Sequence, residues 1–191
     1  MADRVLFINA CVRPGSRTYE LAQAVLDNLS GNIEEVDLYR KPMSVLDFDG
    51  MERRGRAARE QNFSHSDFDL AKQFSVAEKI VIAAPYWDMM FPAVLKIYLE
   101  NITVSGITFR YSEEGKPESL CKAKALYYVT TAGGFIGQND FGFDYVKALA
   151  ENFFEITQIH RYTAEGLDIF GSDVEKIMHK AKAEIISDLR A

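Results

Sequence analysis

Three short runs in this chain carry residue types that can do chemistry. Arg13-Pro14-Gly15-Ser16-Arg17-Thr18 brings hydroxyls and guanidinium groups together. Such a run binds anions when it opens a helix, because the first N–H groups of a helix lack internal partners and its dipole favours negative charge. Pro85-Tyr86-Trp87-Asp88-Met89-Met90-Phe91-Pro92 sets flat and apolar side chains between two prolines, a surface that suits a planar apolar ligand. Thr131-Ala132-Gly133-Gly134 ends in two glycines, which let backbone N–H groups approach a ligand plane closely.

The elements that must position these runs are legible from periodicity. Val5 to Ile8 is a continuous apolar run that reads as a buried strand. Leu21, Ala22, Val25, Leu26 and Leu29 recur at helical spacing after the first run, with Gly31 as the expected stop. Ile33 to Leu38 reads as a shorter, more charged edge strand. Tyr39 to about Ser66 reads as a long irregular segment, with room for a short helix, and holds Arg53, Arg54, Arg56 and Arg59. A helix is expected over 68–77, then a doubly buried strand at 79–85 and a helix opened by Pro92. Ile107 to Tyr111 is a short extended piece, Ala123 to Thr131 a strand, Phe141 to Phe154 a helix and Ile156 to Tyr162 a last strand. Ser172-Asp173-Val174-Glu175 reads as a capping box with Ser172 at the N-cap.

Strand followed by helix, repeated, predicts an α/β fold with a parallel sheet and helices on both faces. The 191 residues are expected to form one domain, 1–191. A net charge of −6 argues against nucleic acid as a partner. No apolar run approaches membrane-spanning length, and no signal peptide precedes the first strand, so no membrane partner is expected. Two cysteines, Cys11 and Cys121, fit a reducing cytoplasm better than a disulfide framework. Cys11 reads as a small buried residue rather than a reactive thiol. His65, His160 and His179 show no metal-ligand spacing, and no metal is expected.

In open α/β sheets ligands bind outside the carboxyl ends of strands, which is where all three runs fall. Alone, the first run reads as readily as a helix cap with solvated arginines. Beside the other two it becomes the phosphate end of a mononucleotide site, and FMN is the best match. A dinucleotide or nucleoside triphosphate motif is absent from the first loop. The matching sheet is the flavodoxin-like one, five parallel strands in the order 2-1-3-4-5.

The chain resembles the flavodoxin-like FMN-dependent NAD(P)H:quinone oxidoreductases and azoreductases over most of its length. The likeness is carried by 13–18, by Ala84-Pro85-Tyr86-Trp87 with Leu95-Lys96, by Gly106-Ile-Thr-Phe-Arg-Tyr111 with Gly115, by 131–134 and by Ala164-Glu165-Gly166-Leu167. The resemblance implies that Ser16, Arg17 and Thr18 hold the FMN phosphate with Arg13 in support. It implies that Pro85, Tyr86, Trp87 and Asp88 line the isoalloxazine edge with backbone groups meeting the ring. Thr131, Ala132, Gly133 and Gly134 would approach the pyrimidine side, and Tyr111 and Phe135 would border the substrate pocket. It further implies NADH or NADPH as hydride donor, a quinone or azo compound as acceptor, a ping-pong cycle with no side-chain nucleophile, and a homodimer with the flavin at its interface. An electron carrier of flavodoxin type and a flavin-free regulatory member of the fold are the alternatives. The chain departs from the azoreductase pattern at Asp88, where related enzymes commonly carry Asn, and at Ala132, where they often carry Arg.

Overall fold

The computed structural model describes residues 3–190. Five strands form one parallel sheet: β1 (Arg4–Asn9), β2 (Asn32–Asp37), β3 (Lys79–Ala83), β6 (Ala125–Thr131) and β7 (Gln158–Ala164). Their spatial order is β2-β1-β3-β6-β7, which is the expected 2-1-3-4-5 arrangement with a small hairpin inserted between the third and fourth sheet strands. That hairpin pairs β4 (Phe109–Tyr111) with β5 (Pro117–Ser119) in antiparallel register.

Side chains alternate across a strand, so each central strand feeds two cores. Leu6, Ile8, Ile80, Ile82, Leu126 and Tyr128 point to one face and pack under α3 (Asp69–Val76), α4 (Ala93–Ile102) and α5 (Phe141–Asn152). Val5, Phe7, Val81, Ala83, Tyr127 and Val129 point to the other, under α1 (Arg17–Leu26) and α6 (Val174–Leu189). Each such fully buried apolar side chain contributes roughly 1.5–3 kcal/mol. The rigid platform they make is what holds the strand ends in place. Among the described residues no helix is long and apolar enough to cross a membrane.

Four local expectations are corrected. The segment after β2 holds a full helix, α2 (Phe48–Glu60), capped by Asp47, whose carboxylate accepts from the Gly50 N–H at 2.8 Å. Only Gly50 and Ala57 of α2 are buried, so no apolar stripe announced it. Helix α1 ends at Leu26, short of Gly31. Gly31 instead has φ +140°, and a Cβ there would collide with the Asp3 carbonyl as the chain enters β2. The cap of α6 is Asp173, which accepts from the Lys176 N–H at 3.0 Å, while the Ser172 hydroxyl donates to the Gly166 carbonyl. The last strand starts two residues late, because the chain turns through Glu155 at φ +51° before pairing with β6.

Candidate functional site

Four loops at the carboxyl edge of the sheet enclose a cavity of about 340 Å³. The first loop, 10–16, runs from β1 into α1. Ser16 caps that helix through a long 3.4 Å bond from the Tyr19 N–H. The N–H groups of Arg17 and Thr18 open the helix with no helical carbonyl behind them. The plain cap and the anion cradle are therefore both built into the same residues.

Thr18 is almost fully buried, and its hydroxyl lies 2.6 Å from that of Thr131 at the end of β6. This bond ties the first loop to the third. The second loop is tied in as well: the Tyr86 N–H donates to the Thr131 carbonyl at 3.1 Å. Beyond it, Trp87 and Met90 exchange two backbone hydrogen bonds of 2.8 Å across a tight turn. The turn residues Asp88 and Met89 have φ of +51° and +66°, the positive pair of a type I′ turn. The turn presents Trp87 at the cavity and Met89 to solvent.

The fourth loop follows β7 and zips onto the third. Gly166, Leu167 and Asp168 donate their N–H groups to the carbonyls of Gly134, Ala132 and Gly133 at 2.9, 3.2 and 2.9 Å. Asp168 lies so close over Gly133 that a Cβ on that glycine would collide with its carboxylate. The same carboxylate meets the Arg17 guanidinium at 2.8 Å across the cavity mouth. Among the described residues, the N–H groups of Gly133 and Gly134 donate to no protein acceptor.

Arg13, Ser16, Arg17, Thr18, Pro85, Tyr86, Trp87, Thr131, Ala132 and Gly133 all line this cavity, joined by Val12, Pro14, Gly15, Leu167 and Asp168. Asp88 and Gly134 stand outside its wall. Asp88 is at the exposed tip of the turn, and the Gly134 carbonyl is spent on Gly166. The backbone N–H groups of Tyr86 and Trp87 are likewise spent within the chain, so the second loop offers carbonyls and side-chain faces, and the third offers donors.

Comparison with known proteins places this architecture. The family model described as "Flavodoxin-like fold" matches residues 3–189. The chain belongs to the flavodoxin-like fold family. Among its relatives, the FMN-dependent NADH:quinone oxidoreductase of Clostridium beijerinckii is 33% identical over 188 residues, 94% of each chain. The FMN-dependent NADH:quinone oxidoreductase 2 of Clostridium acetobutylicum is 34% identical, covering 92% of each. Among solved structures, an azoreductase from Bacillus anthracis superposes with a TM-score of 0.83 at 24% identity over 98% of each chain. An FMN-dependent NADH-azoreductase from the same species, in complex with FMN, gives 0.81 at 23% over 98% of each.

In this flavodoxin-like chain the remaining reactive groups lie off the cavity. The Cys11 thiol is buried, and burial pushes its pKa up to about 11. It is a packing residue, as expected. His65 caps a short 3₁₀ turn through its ring nitrogen, and His160 pairs with Asp188 at 3.0 Å. Leu167 and Asp168 were missed as site residues. They follow the last sheet strand, and one carboxylate after Gly-Leu has no composition that marks a ligand loop. The usable signals were position, at a fourth strand end beside the other three, and the Ala164–Leu167 run that carries part of the family likeness.

Proposed function

We propose that this chain is an FMN-dependent oxidoreductase that takes two electrons from NADH or NADPH and passes them to a quinone or azo compound in a ping-pong cycle. One observation carries this reading. A single cavity joins an anion end, made by Ser16, Arg17 and the start of α1, to a flat end with a free N–H donor at Gly133 and an aromatic wall at Tyr86 and Trp87. That donor set fits FMN. When bound, the flavin supplies hydride acceptance and donation.

The chain's own residues have four tasks. Ser16 and Arg17, with the first N–H groups of α1, bind the phosphate, and Arg13 adds charge at the rim. Gly133 lets backbone approach the ring plane and donates to it. Trp87 excludes water from the reacting face, where hydride transfer competes with solvent. Thr18 and Thr131 hold the loops in register and leave the phosphate to Ser16. No side chain is needed as a nucleophile.

The names of the curated relatives support NADH as the donor and a quinone as the acceptor, and the names of the solved azoreductases support an azo compound as a second acceptor class. A homodimer is part of the proposal. Trp87, Met89, Phe135 and Phe170 are exposed apolar residues on loops at the carboxyl edge of the sheet, Phe141 is exposed at the start of α5, and Phe48 and Met51 expose a second apolar group on α2. Several large exposed apolar residues around one site suit an interface. We take the chain as one domain working in a reducing cytoplasm, the setting that suits two free cysteines. Purified protein tests the reading: it should bind FMN and oxidise NADH or NADPH with menadione as acceptor. Protein that binds no FMN, or that binds it and never turns over NAD(P)H, contradicts it.

A further inference from the structure

The loop from Val12 to Ser16 has two sides. One is a wall of the cavity described above. The other closes a second cavity of about 550 Å³, toward the β2 edge of the sheet. Val12, Arg13, Pro14, Gly15 and Ser16 line both. The second cavity's own walls are Tyr19 from α1, Glu35 and Asp37 from the end of β2, and Tyr39 and Arg40 just beyond. Its volume lies within the range of small-molecule sites. The proposed flavin chemistry has no use for it.

We propose that this second cavity is a subsite for an adenosine 5′-phosphate group, the adenylate half of a dinucleotide whose other half reaches the first cavity, as the flavin itself in FAD or against the bound flavin in the nicotinamide co-substrate. The inference rests on the FMN reading, which puts a phosphate on the shared loop and so gives a pyrophosphate a path from one cavity to the other. Three features match an adenylate. Tyr19 and Tyr39 offer ring faces for a purine. Tyr19 is half-buried and packed on Phe7 at 5.7 Å between ring centroids, while Tyr39 is 43% exposed and free to adjust. Glu35 and Asp37 end the strand beside β1, where doubly wound dinucleotide sites place the carboxylate that accepts from ribose hydroxyls. Both are held by neighbours. The Asn9 side chain donates to Glu35 Oε1 at 2.8 Å, and the Tyr39 N–H donates to Asp37 Oδ1 at 3.0 Å. Each carboxylate still has lone pairs to accept more. Arg13 on the shared loop and Arg40, paired to Asp37 at 3.3 Å and otherwise exposed, supply charge for the 5′-phosphate. Cys11 on the cavity floor stays neutral, since its pKa is pushed up to about 11 by burial, and adds no competing charge.

Two molecules carry this group: the nicotinamide co-substrate and FAD. AMP is the probe for the group itself, titrated by calorimetry into FMN-loaded protein. Saturable AMP binding, weakened at least fivefold by Tyr39→Ala and by Asp37→Asn while FMN affinity holds within twofold, supports the subsite. The source is then separated. AMP inhibition competitive with NADH, with KM for NADH raised at least fivefold in both variants, assigns the group to the co-substrate. FAD binding at least tenfold tighter than FMN, with the advantage lost in Tyr39→Ala, assigns it to a flavin dinucleotide. Absence of AMP binding to FMN-loaded protein, or AMP binding that ignores both substitutions, overturns the proposal. If the protein takes up no flavin, the FMN reading fails on its own. AMP titration of the colourless protein and of Tyr39→Ala then decides the cavity by the same two criteria.

Discussion

The hydroxyls of Thr18 and Thr131 lie 2.6 Å apart in a buried contact between residues 113 positions apart in the chain. Thr18 opens α1 and Thr131 ends β6, so this one bond sets the spacing of the phosphate loop and the glycine loop. A buried hydroxyl that loses its partner costs about 1–3 kcal/mol, whereas replacing both partners with apolar isosteres is nearly neutral. Thr18→Val and Thr131→Val should each destabilise by about that amount, and the double variant by much less than the sum. Denaturant unfolding of the four proteins measures the coupling. Because the Thr18 hydroxyl is buried against Thr131 while Ser16 is more open at the cavity, Ser16→Ala should weaken FMN binding more than Thr18→Val does.

Arg17 faces a choice of anions. Its pair with Asp168 is exposed on both sides, so it adds no more than about 1 kcal/mol to stability. A phosphate dianion at the same place competes with that carboxylate. Asp168→Asn should therefore raise FMN affinity severalfold at low salt, with the gain fading as salt screens it. Arg17→Gln should lower it by about 1.5–3 kcal/mol, the range for a hydrogen bond to a charged group. Equilibrium dialysis at two ionic strengths reads both.

Strain at the turn beside the cavity gives a further prediction. Asp tolerates positive φ through local hydrogen bonding, but Met89 at φ +66° has no such compensation. Left-handed backbone costs of order 1–3 kcal/mol for a non-glycine residue, and glycine adds about 0.5–1 kcal/mol of unfolded-state entropy. Met89→Gly should raise stability by about 1 kcal/mol, seen as a higher thermal midpoint. Met89→Val, β-branched at the same φ, should lower it.

Alkaline pH should destabilise the fold through Cys11. Burial raises its thiol from an ordinary 9.0 to about 11, so the folded chain holds that proton more tightly than the unfolded chain. The stabilisation is fully present below pH 9 and is lost as pH rises from there to about 11, by up to about 2–3 kcal/mol. Cys11→Ala should flatten the stability curve in that window. The thiol should also resist alkylation at pH 7.5 in folded protein, since the thiolate is the nucleophile.

Much of this was legible in the sequence, for physical reasons that differ by element. The central strands read clearly because residues 80–83 and 125–129 are buried on both faces and hence continuously apolar. The site loops read clearly because glycines, hydroxyls and aromatics gather at strand ends. Helix α2 did not, since it buries only Gly50 and Ala57 and so carries almost no apolar face, its start being marked by the Asp47 cap. The role of Thr18 was also hidden. A hydroxyl at a helix start gives no sign in the sequence that it also meets a second threonine across the sheet. Asp168 escaped because its contacts, Arg17 and Gly133, are far away in sequence.

The most direct test of the flavin site uses Trp87, the single tryptophan of the chain and part of the cavity wall. Its fluorescence should be quenched saturably when FMN is titrated into apoprotein, with one FMN bound per chain. Ser16→Ala and Arg17→Gln should shift the titration to higher FMN without changing the quenched endpoint. Fluorescence that does not respond to FMN, or FMN binding that leaves Trp87 unquenched, would contradict the site described here.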